Sequence, residues 1–272
     1  MSISTINPVF NEFPDDIRDK LIERSKKEPW LLIENKEEIE KKLEEEEKKK
    51  TVREVFPEIA GAFKKTDRLM YLENLFDTQV QTFLKKEYPK HAGMSEKEFL
   101  SHILPLREKL VEVAKIPIPE GHIPFVIVIG EKLLSLEKKI PLMELEEKKG
   151  FTSLDLSEFK TAEGVDIPEG MAYLVVDVEN GKVMLGKSPD EAIKQFKKEG
   201  RSPLTTEEGV AVITRCPEIL KDRYMDLSGS RLGAYNVASL WLSGGGPRLD
   251  WDRADGSFAK WGSASCGSRV GP

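Results

Sequence analysis

Two stretches near the C-terminus share one phrase: Ser228-Gly229-Ser230-Arg231-Leu232-Gly233 and Cys266-Gly267-Ser268-Arg269-Val270-Gly271. Glycine lets backbone N–H groups approach an anion, serine adds a hydroxyl, and arginine adds a planar fork that fits phosphate or carboxylate. Trp241, Trp251 and Trp261 lie between the two phrases, ten residues apart. An indole can stack a base, a sugar or an arginine. If the two phrases formed two walls of one pocket, the site would comprise Ser230, Arg231, Trp241, Arg248, Trp251, Trp261, Ser268 and Arg269. The competing account is structural: short glycine turns match by chance, and tryptophans usually belong to cores.

Charge sharpens the contrast. Residues 201–272 hold seven arginines but only two lysines, and nine basic against eight acidic groups give the segment a net +1. The first 200 residues sum to −7, and lysine outnumbers arginine there 28 to 5. Lysine solvates surfaces, whereas arginine is favoured where a fork must meet a carboxylate, a phosphate or an aromatic face. The same arginines could instead pair with Asp222, Asp226, Asp250, Asp252 and Asp255. Asp226, Asp250 and Asp252 also suit an enzyme, as acid, base or Mg²⁺ ligands beside the arginines.

Other chemistries lack their patterns. No Gly-x-x-x-x-Gly-Lys-Ser/Thr loop and no Gly-x-Ser-x-Gly elbow occurs. Gly244-Gly245-Gly246-Pro247 resembles a phosphate loop only in composition and fits a hairpin connection better. His91, His102 and His122 have no metal-ligand spacing, and two cysteines, Cys216 and Cys266, cannot alone complete a four-ligand zinc site. No metal is expected, and no cofactor is identified.

The elements that must position these residues follow from periodicity and caps. Over 272 residues, one large or two ordinary domains are expected. Pro14 opens a helix through Lys27, and Asn35 caps a Glu/Lys helix over 36–50 laced with pairs such as Glu37–Lys41 and Glu45–Lys49. Thr66 caps a long helix to about Glu87 with an apolar stripe from Leu69 to Leu84, ended by Tyr88-Pro89. Ser95 and Glu98 form a capping box for the next helix, which Pro105 should kink.

Beyond Ile116-Pro117-Ile118-Pro119 the character changes. Residues 123–129 and 171–178 read as buried strands, and Asn180-Gly181 reads as a hairpin turn returning through Lys182 to Leu185. Ser188-Pro189 opens a helix ending at Gly200, and Thr205 with Glu208 opens another. Segments 237–242, 248–251 and 258–266 read as strands and loops. The fold expected is α+β: a helical part over 1–118, then a mixed domain over 119–272 with short strands and a Gly/Trp/Arg-rich C-terminal segment.

From residue 76 onward the chain resembles an uncharacterised bacterial family, a domain of unknown function common in actinobacteria. The resemblance is carried by Phe76-Asp77-Thr78-Gln79-Val80, Tyr88-Pro89, Pro124-Phe125-Val126 and Gly200-Arg201-Ser202-Pro203-Leu204-Thr205 with Glu208-Gly209. Leu227-Ser228-Gly229-Ser230-Arg231, Leu240-Trp241-Leu242-Ser243 and Gly262-Ser263-Ala264-Ser265-Cys266 complete it. The resemblance brings no assigned activity. Family members carry cysteine and histidine between the second and third of these tryptophans, and here residues 250–258 have neither. A Cys/His metal or nucleophile role is therefore not expected.

The function expected is a cytoplasmic binding or regulatory protein that recognises an anionic or planar ligand, a nucleotide or nucleic acid, through the Arg/Trp/Gly segment. The alternatives are an enzyme with an Asp/Arg site and a protein-interaction module using the helical N-terminal part. A net charge of −6 argues against sequence-blind DNA binding, and no apolar run reaches the roughly 20 residues that span a bilayer.

Overall fold

The computed structural model describes residues 57–272, and Leu21 ahead of them. The chain divides into two compact units, residues 1–67 and 68–272, and the second holds every strand among the described residues. The Glu/Lys helix expected over 36–50, and all but Leu21 of that over 14–27, lie outside the described residues. The fold is α+β, with helices first and strands mostly after them.

Helix α1 spans Pro57–Lys85, so it starts at Pro57, nine residues before the expected cap at Thr66. Pro is suited to the first turn, whose N–H groups have no intrahelical partner. Two short helices follow, α2 (Tyr88–Ala92) and α3 (Glu96–Ile103). Ser95 Oγ accepts the Glu98 N–H at 3.2 Å, as the capping pattern required. At Pro105 the chain tightens to a 3₁₀ turn over Leu104–Lys109, then resumes as α4 (Leu110–Val113). Proline has no N–H to continue the α-helical ladder.

The first sheet is β1 (Ile123–Ile129), β5 (Ala172–Val178) and β12 (Ser268–Val270), antiparallel in the order β1-β5-β12. Both faces of β1 and β5 are buried, which is why each reads as a continuous apolar run rather than an alternation. One face, with Phe125, Ile127, Leu174 and Val176, packs under Leu72, Phe76, Phe83, Phe99, Leu106 and Leu110 of the helical layer. The free edge of β1 is closed by one buried side chain. Gln79 Nε2 donates to Phe125 O at 3.4 Å, and Gln79 Oε1 accepts the Ile127 N–H at 2.8 Å.

Between the two strands come α5 (Leu136–Lys139), the hairpin β2 (Glu144–Leu145) with β3 (Lys148–Lys149), and β4 (Phe159–Thr161). The hairpin expected at Asn180-Gly181 does not form. Glu179 accepts the N–H groups of Gly181 and Val183, both at 3.0 Å, which curls the chain into a local turn. The edge of β5 that a return strand would have used is occupied by β12.

Helix α6 (Pro189–Glu199) opens after Ser188 as expected, with a capping box between Ser188 and Glu191, and α7 (Thr206–Arg215) has the expected box between Thr205 and Glu208. The two-residue strand β6 (Ser202–Pro203) joins them, and α8 (Ile219–Asp222) follows. The second sheet holds β7 (Tyr224–Leu232), β8 (Asn236–Ser243), β9 (Gly246–Arg253) and β10 (Trp261–Ser263) in the order β10-β7-β8-β9. β4 joins the far half of β7. The connection between β8 and β9 is Gly244-Gly245, at φ 59 and 85, the left-handed pair that a tight hairpin demands.

Helix α7 is the centre. Its Val210, Val212 and Ile213 join the second face of the first sheet (Val126, Val128, Tyr173, Val175) to one face of the second (Met225, Leu227, Ala238, Leu240, Leu249). A last short strand, β11 (Ser265–Cys266), pairs with β6. No helix among the described residues is long and apolar enough to cross a membrane.

Candidate functional site

The two Gly-Ser-Arg phrases converge on one segment, Ser202 to Glu208, at the start of α7. In the first, the register of β7 against β8 breaks between Leu227 and Arg231, so Ser228-Gly229-Ser230 bulge away from β8. The Gly229 N–H donates to Leu204 O at 2.9 Å. A Cβ at Gly229 would fall 2.7 Å from the carbonyl oxygens of Pro203 and Leu204, so no larger residue fits. Ser230 Oγ accepts the Thr206 N–H at 2.9 Å, satisfying a donor that the first helical turn leaves unpaired.

In the second phrase Gly267 lies against Asp177, where a Cβ would be 2.8 Å from the carboxylate. Ser268 is an ordinary member of β12, opposite Val176. Arg269 fills its fork. Nε and Nη2 donate to the two oxygens of Glu208 at 2.5 and 2.8 Å, Nη1 to Ser202 Oγ at 2.7 Å, and Nη2 to Pro203 O at 2.9 Å. Glu208 is 0 % exposed, and the Tyr173 hydroxyl and the Thr205 N–H also donate to it. Arg269 and Ser230 are therefore engaged in holding the fold. The phrases also line different depressions. Arg269 borders one of about 370 Å³ with Ser202 and Asp166, and Arg231 borders one of about 870 Å³ with Lys160, Asn236 and Trp251.

A second buried knot lies beside the first. Arg201 donates to Asp177 Oδ2 at 2.5 Å, to Asp177 O at 2.7 Å and to Ser265 Oγ at 2.9 Å. His122 Nδ1 is 2.6 Å from the other Asp177 oxygen. Asp177 has φ 56, a left-handed conformation costly for a residue with a Cβ. Sequence spacing did not mark His122, because its partner Asp177 lies 55 positions away. Both cysteines are free, and burial pushes the Cys266 thiol up to about 12.

Three of the expected site residues do come together, on the face of the second sheet turned away from α7. Register places Trp261 opposite Tyr224, and Trp241 opposite Arg248. Tyr224 lies between the indoles, with ring centres 5.1 Å from Trp261 and 6.2 Å from Trp241. The Arg248 guanidinium lies 5.5 Å from the Trp241 ring centre and 5.8 Å from that of Phe151, which bridges to Arg248. Trp261, Tyr224, Trp241, Arg248 and Phe151 thus form one row across four strands and the adjoining bridge. The first four are partly exposed, and Phe151 is 41 % exposed.

Trp251 does not join them. Its register partner is Ala238, whose side chain faces α7, so equal spacing in sequence conceals opposite parity in the sheet. Arg231, opposite Val237, falls on the same face as the row, where it comes within 3.5 Å of Asp190 of α6.

The aspartates share that face one and two levels along. Asp226 is opposite Ser263 and Ser239, and Ser239 is opposite Asp250. Asp250 is committed to Arg248 at 2.9 Å, and Asp252 accepts the Arg253 N–H at 2.7 Å. Asp226 is 1 % exposed with one carboxyl oxygen unpartnered, as are the hydroxyls of Ser228, Ser239 and Ser263. Burial, aided by the charge of Asp252, pushes the Asp226 carboxyl up to about 8. Among the described residues no group of three or more His, Cys, Asp or Glu side chains is placed to hold a metal ion.

A model of a family of unknown function, DUF5701, matches residues 82–271 of the chain. The match begins six residues after Phe76, where the resemblance starts, and takes in both sheets and α7. No curated protein and no solved structure matches the chain.

Proposed function

The chain belongs to the family of unknown function DUF5701, and we propose that it is a binding protein for a nucleotide or a short single strand of nucleic acid, held on the aromatic row of the second sheet. The observation that carries this is the alignment of Trp261, Tyr224, Trp241 and Arg248 at one level on a partly exposed sheet face. A sheet that presents neighbouring aromatic rings offers successive bases a stacking surface, worth about 1–3 kcal/mol per base. The exposed Lys260 immediately precedes Trp261, and the Tyr224 N–H donates to Lys260 O, so this cation sits at the Tyr224–Trp261 end of the row, whereas Arg223 is turned to Asn180 Oδ1 at 3.1 Å. Phosphate recognition then rests on Lys260, a local cation in a chain whose net charge is −6. The competing role for the row is to staple the strands, since cross-strand aromatic pairs stabilise a sheet by about 0.2–1 kcal/mol each.

Titrating AMP, GMP and a ten-nucleotide oligouridylate, followed by tryptophan fluorescence, separates the two roles. Trp241→Ala should weaken binding roughly tenfold to hundredfold, with Trp241→Phe retaining much of it. Equal affinities for wild type, Trp241→Ala and Trp261→Ala, or no saturable binding to any of the three probes, would remove the proposal.

A further inference from the structure

A further cleft, of about 620 Å³, opens among the end of α1, the β2–β3 hairpin and the end of α7. Arg215, the last residue of α7, lines it. Its Nε and Nη1 are buried and meet no hydrogen-bond acceptor among the described residues. Cations are common in the last turn of a helix, where they can bond the free carbonyls. Those two nitrogens do not. The neighbouring Cys216 thiol is pushed up by burial, which outweighs the charge and the side-chain hydrogen bond of Arg215, so it offers no countercharge. Buried donors of a charged group that meet no acceptor are costly, and an anion that reached these two nitrogens would relieve that cost.

The rest of the cleft is mixed in charge, with Lys85, Lys86 and Lys149 beside Glu87, Glu144, Glu146 and Glu147. Three of its four glutamates are already paired: Glu144 with Lys86 at 3.5 Å, Glu87 with Lys90 at 3.0 Å, and Glu146 with Lys221 at 2.6 Å. Lys85 and Lys149 line the cleft with no carboxylate within bridging distance among the described residues, against Glu147 alone. The rims are fixed by strained turns. Glu146 and Glu147, at φ 49 and 65, form the two-residue loop of the β2–β3 hairpin, and Glu87, at φ 54, joins α1 to α2. At Glu146-Glu147 this is the left-handed pair that a two-residue hairpin demands, as at Gly244-Gly245.

We infer that this cleft is a binding site for a small organic oxyanion, bearing a phosphate or a carboxylate drawn to Arg215, with Lys85 and Lys149 at the mouth. Arginine suits either group, and the volume is that of an ordinary small-molecule site. The cleft shares no residue with the aromatic row, so neither proposal depends on the other.

Pyrophosphate and citrate, titrated calorimetrically into the full chain, test it. Saturable binding of either is expected, with pyrophosphate preference naming the phosphate class and citrate preference the carboxylate class. Arg215→Gln should weaken binding at least about tenfold, and Arg215→Lys, which keeps the charge but loses the fork, should fall between. Trp241→Ala should leave this binding unchanged. Without anion, Arg215→Gln should melt no lower than wild type, because it removes two buried donors that meet no acceptor, and added pyrophosphate or citrate should no longer raise its Tm. Equal affinity in wild type and Arg215→Gln, or no saturation by either probe up to about 10 mM, overturns the site. So does an anion-independent fall in the Tm of Arg215→Gln, which would make Arg215 a structural residue.

Discussion

The most consequential single residue is Arg269, because it completes a buried network rather than facing solvent. Both oxygens of Glu208 depend on its fork, and Glu208 has no exposure through which water could replace it. Removing one member of a buried ion pair strands the other, at a cost of about 3–5 kcal/mol. Arg269→Ala should therefore lose about that much in urea unfolding, whereas Arg231→Ala, whose aspartate contact is half-exposed, should lose less than about 1 kcal/mol. Equal losses would mean that the two phrases do equivalent work.

Asp226 makes a different prediction, in pH. Its carboxyl is raised in the fold from an ordinary value near 3.8 to about 8, so the folded state holds a proton that the unfolded chain has released. The resulting stability is fully present below about pH 4 and is lost as pH rises to about 8, at up to about 1.4 kcal/mol per pH unit. Asp226→Asn should flatten that slope in denaturant unfolding series between about pH 5 and about pH 8. An unchanged slope would mean that Asp226 titrates normally in the fold.

At the scale of elements, α7 explains why distant phrases matter together. Its first turn carries two consecutive glutamates, which favour the positive end of the helix. Each is met by a cation from a different side: Glu208 by Arg269, and Glu207 by Lys139 at 2.7 Å. The Gly229 bulge and Ser230 brace the same turn from β7. Ser230→Ala should destabilise by about 1 kcal/mol, as loss of a helix cap does, and should speed amide exchange in the first turn of α7 before anywhere else. Uniform acceleration across the chain would instead make the effect global.

What could be read from sequence depends on the range of each interaction. Helix starts act over three residues: the Thr205–Glu208 box and the start after Ser188 both stand as expected, and Ser188 closes a box with Glu191 as well. The Gly244-Gly245 hairpin is equally local. The pairing of Arg269 with Glu208 spans 61 positions and leaves no local trace. The row was half visible: Trp241, Arg248 and Trp261 could be named, but Tyr224 and Phe151 could not. Trp251 was included because a spacing of ten looks regular. In a sheet, the face of a residue is set by register against its neighbours, and a one-position shift reverses it. Asn180-Gly181 misled for a related reason, because the turn chemistry was real and the strand edge had already been taken by β12.

For the molecule as a whole, the order of strands ties the first and last strands of the strand-bearing unit together. β1 near residue 123 and β12 near residue 270 belong to the same three-stranded sheet, separated only by β5. The last strand also delivers Arg269 to α7, and Gly267 to the close contact with Asp177. The first sheet, the central helix and the second sheet are thus closed by one terminal segment. Such non-local pairings must pay loop-closure entropy before their contacts form, so folding should be slow and should finish late. Removing residues 267–272 would expose an edge of β5, leave Glu208 buried without its cation, and take the partner from a strand that is apolar on both faces. The expected result is loss of the cooperative thermal transition and association through the open edge, seen by circular dichroism and size-exclusion chromatography. A shortened chain that stayed monomeric and unfolded cooperatively near the wild-type Tm would show that α7 and the second sheet hold without the strand. Arg269 would then be a minor contributor in spite of its four hydrogen bonds.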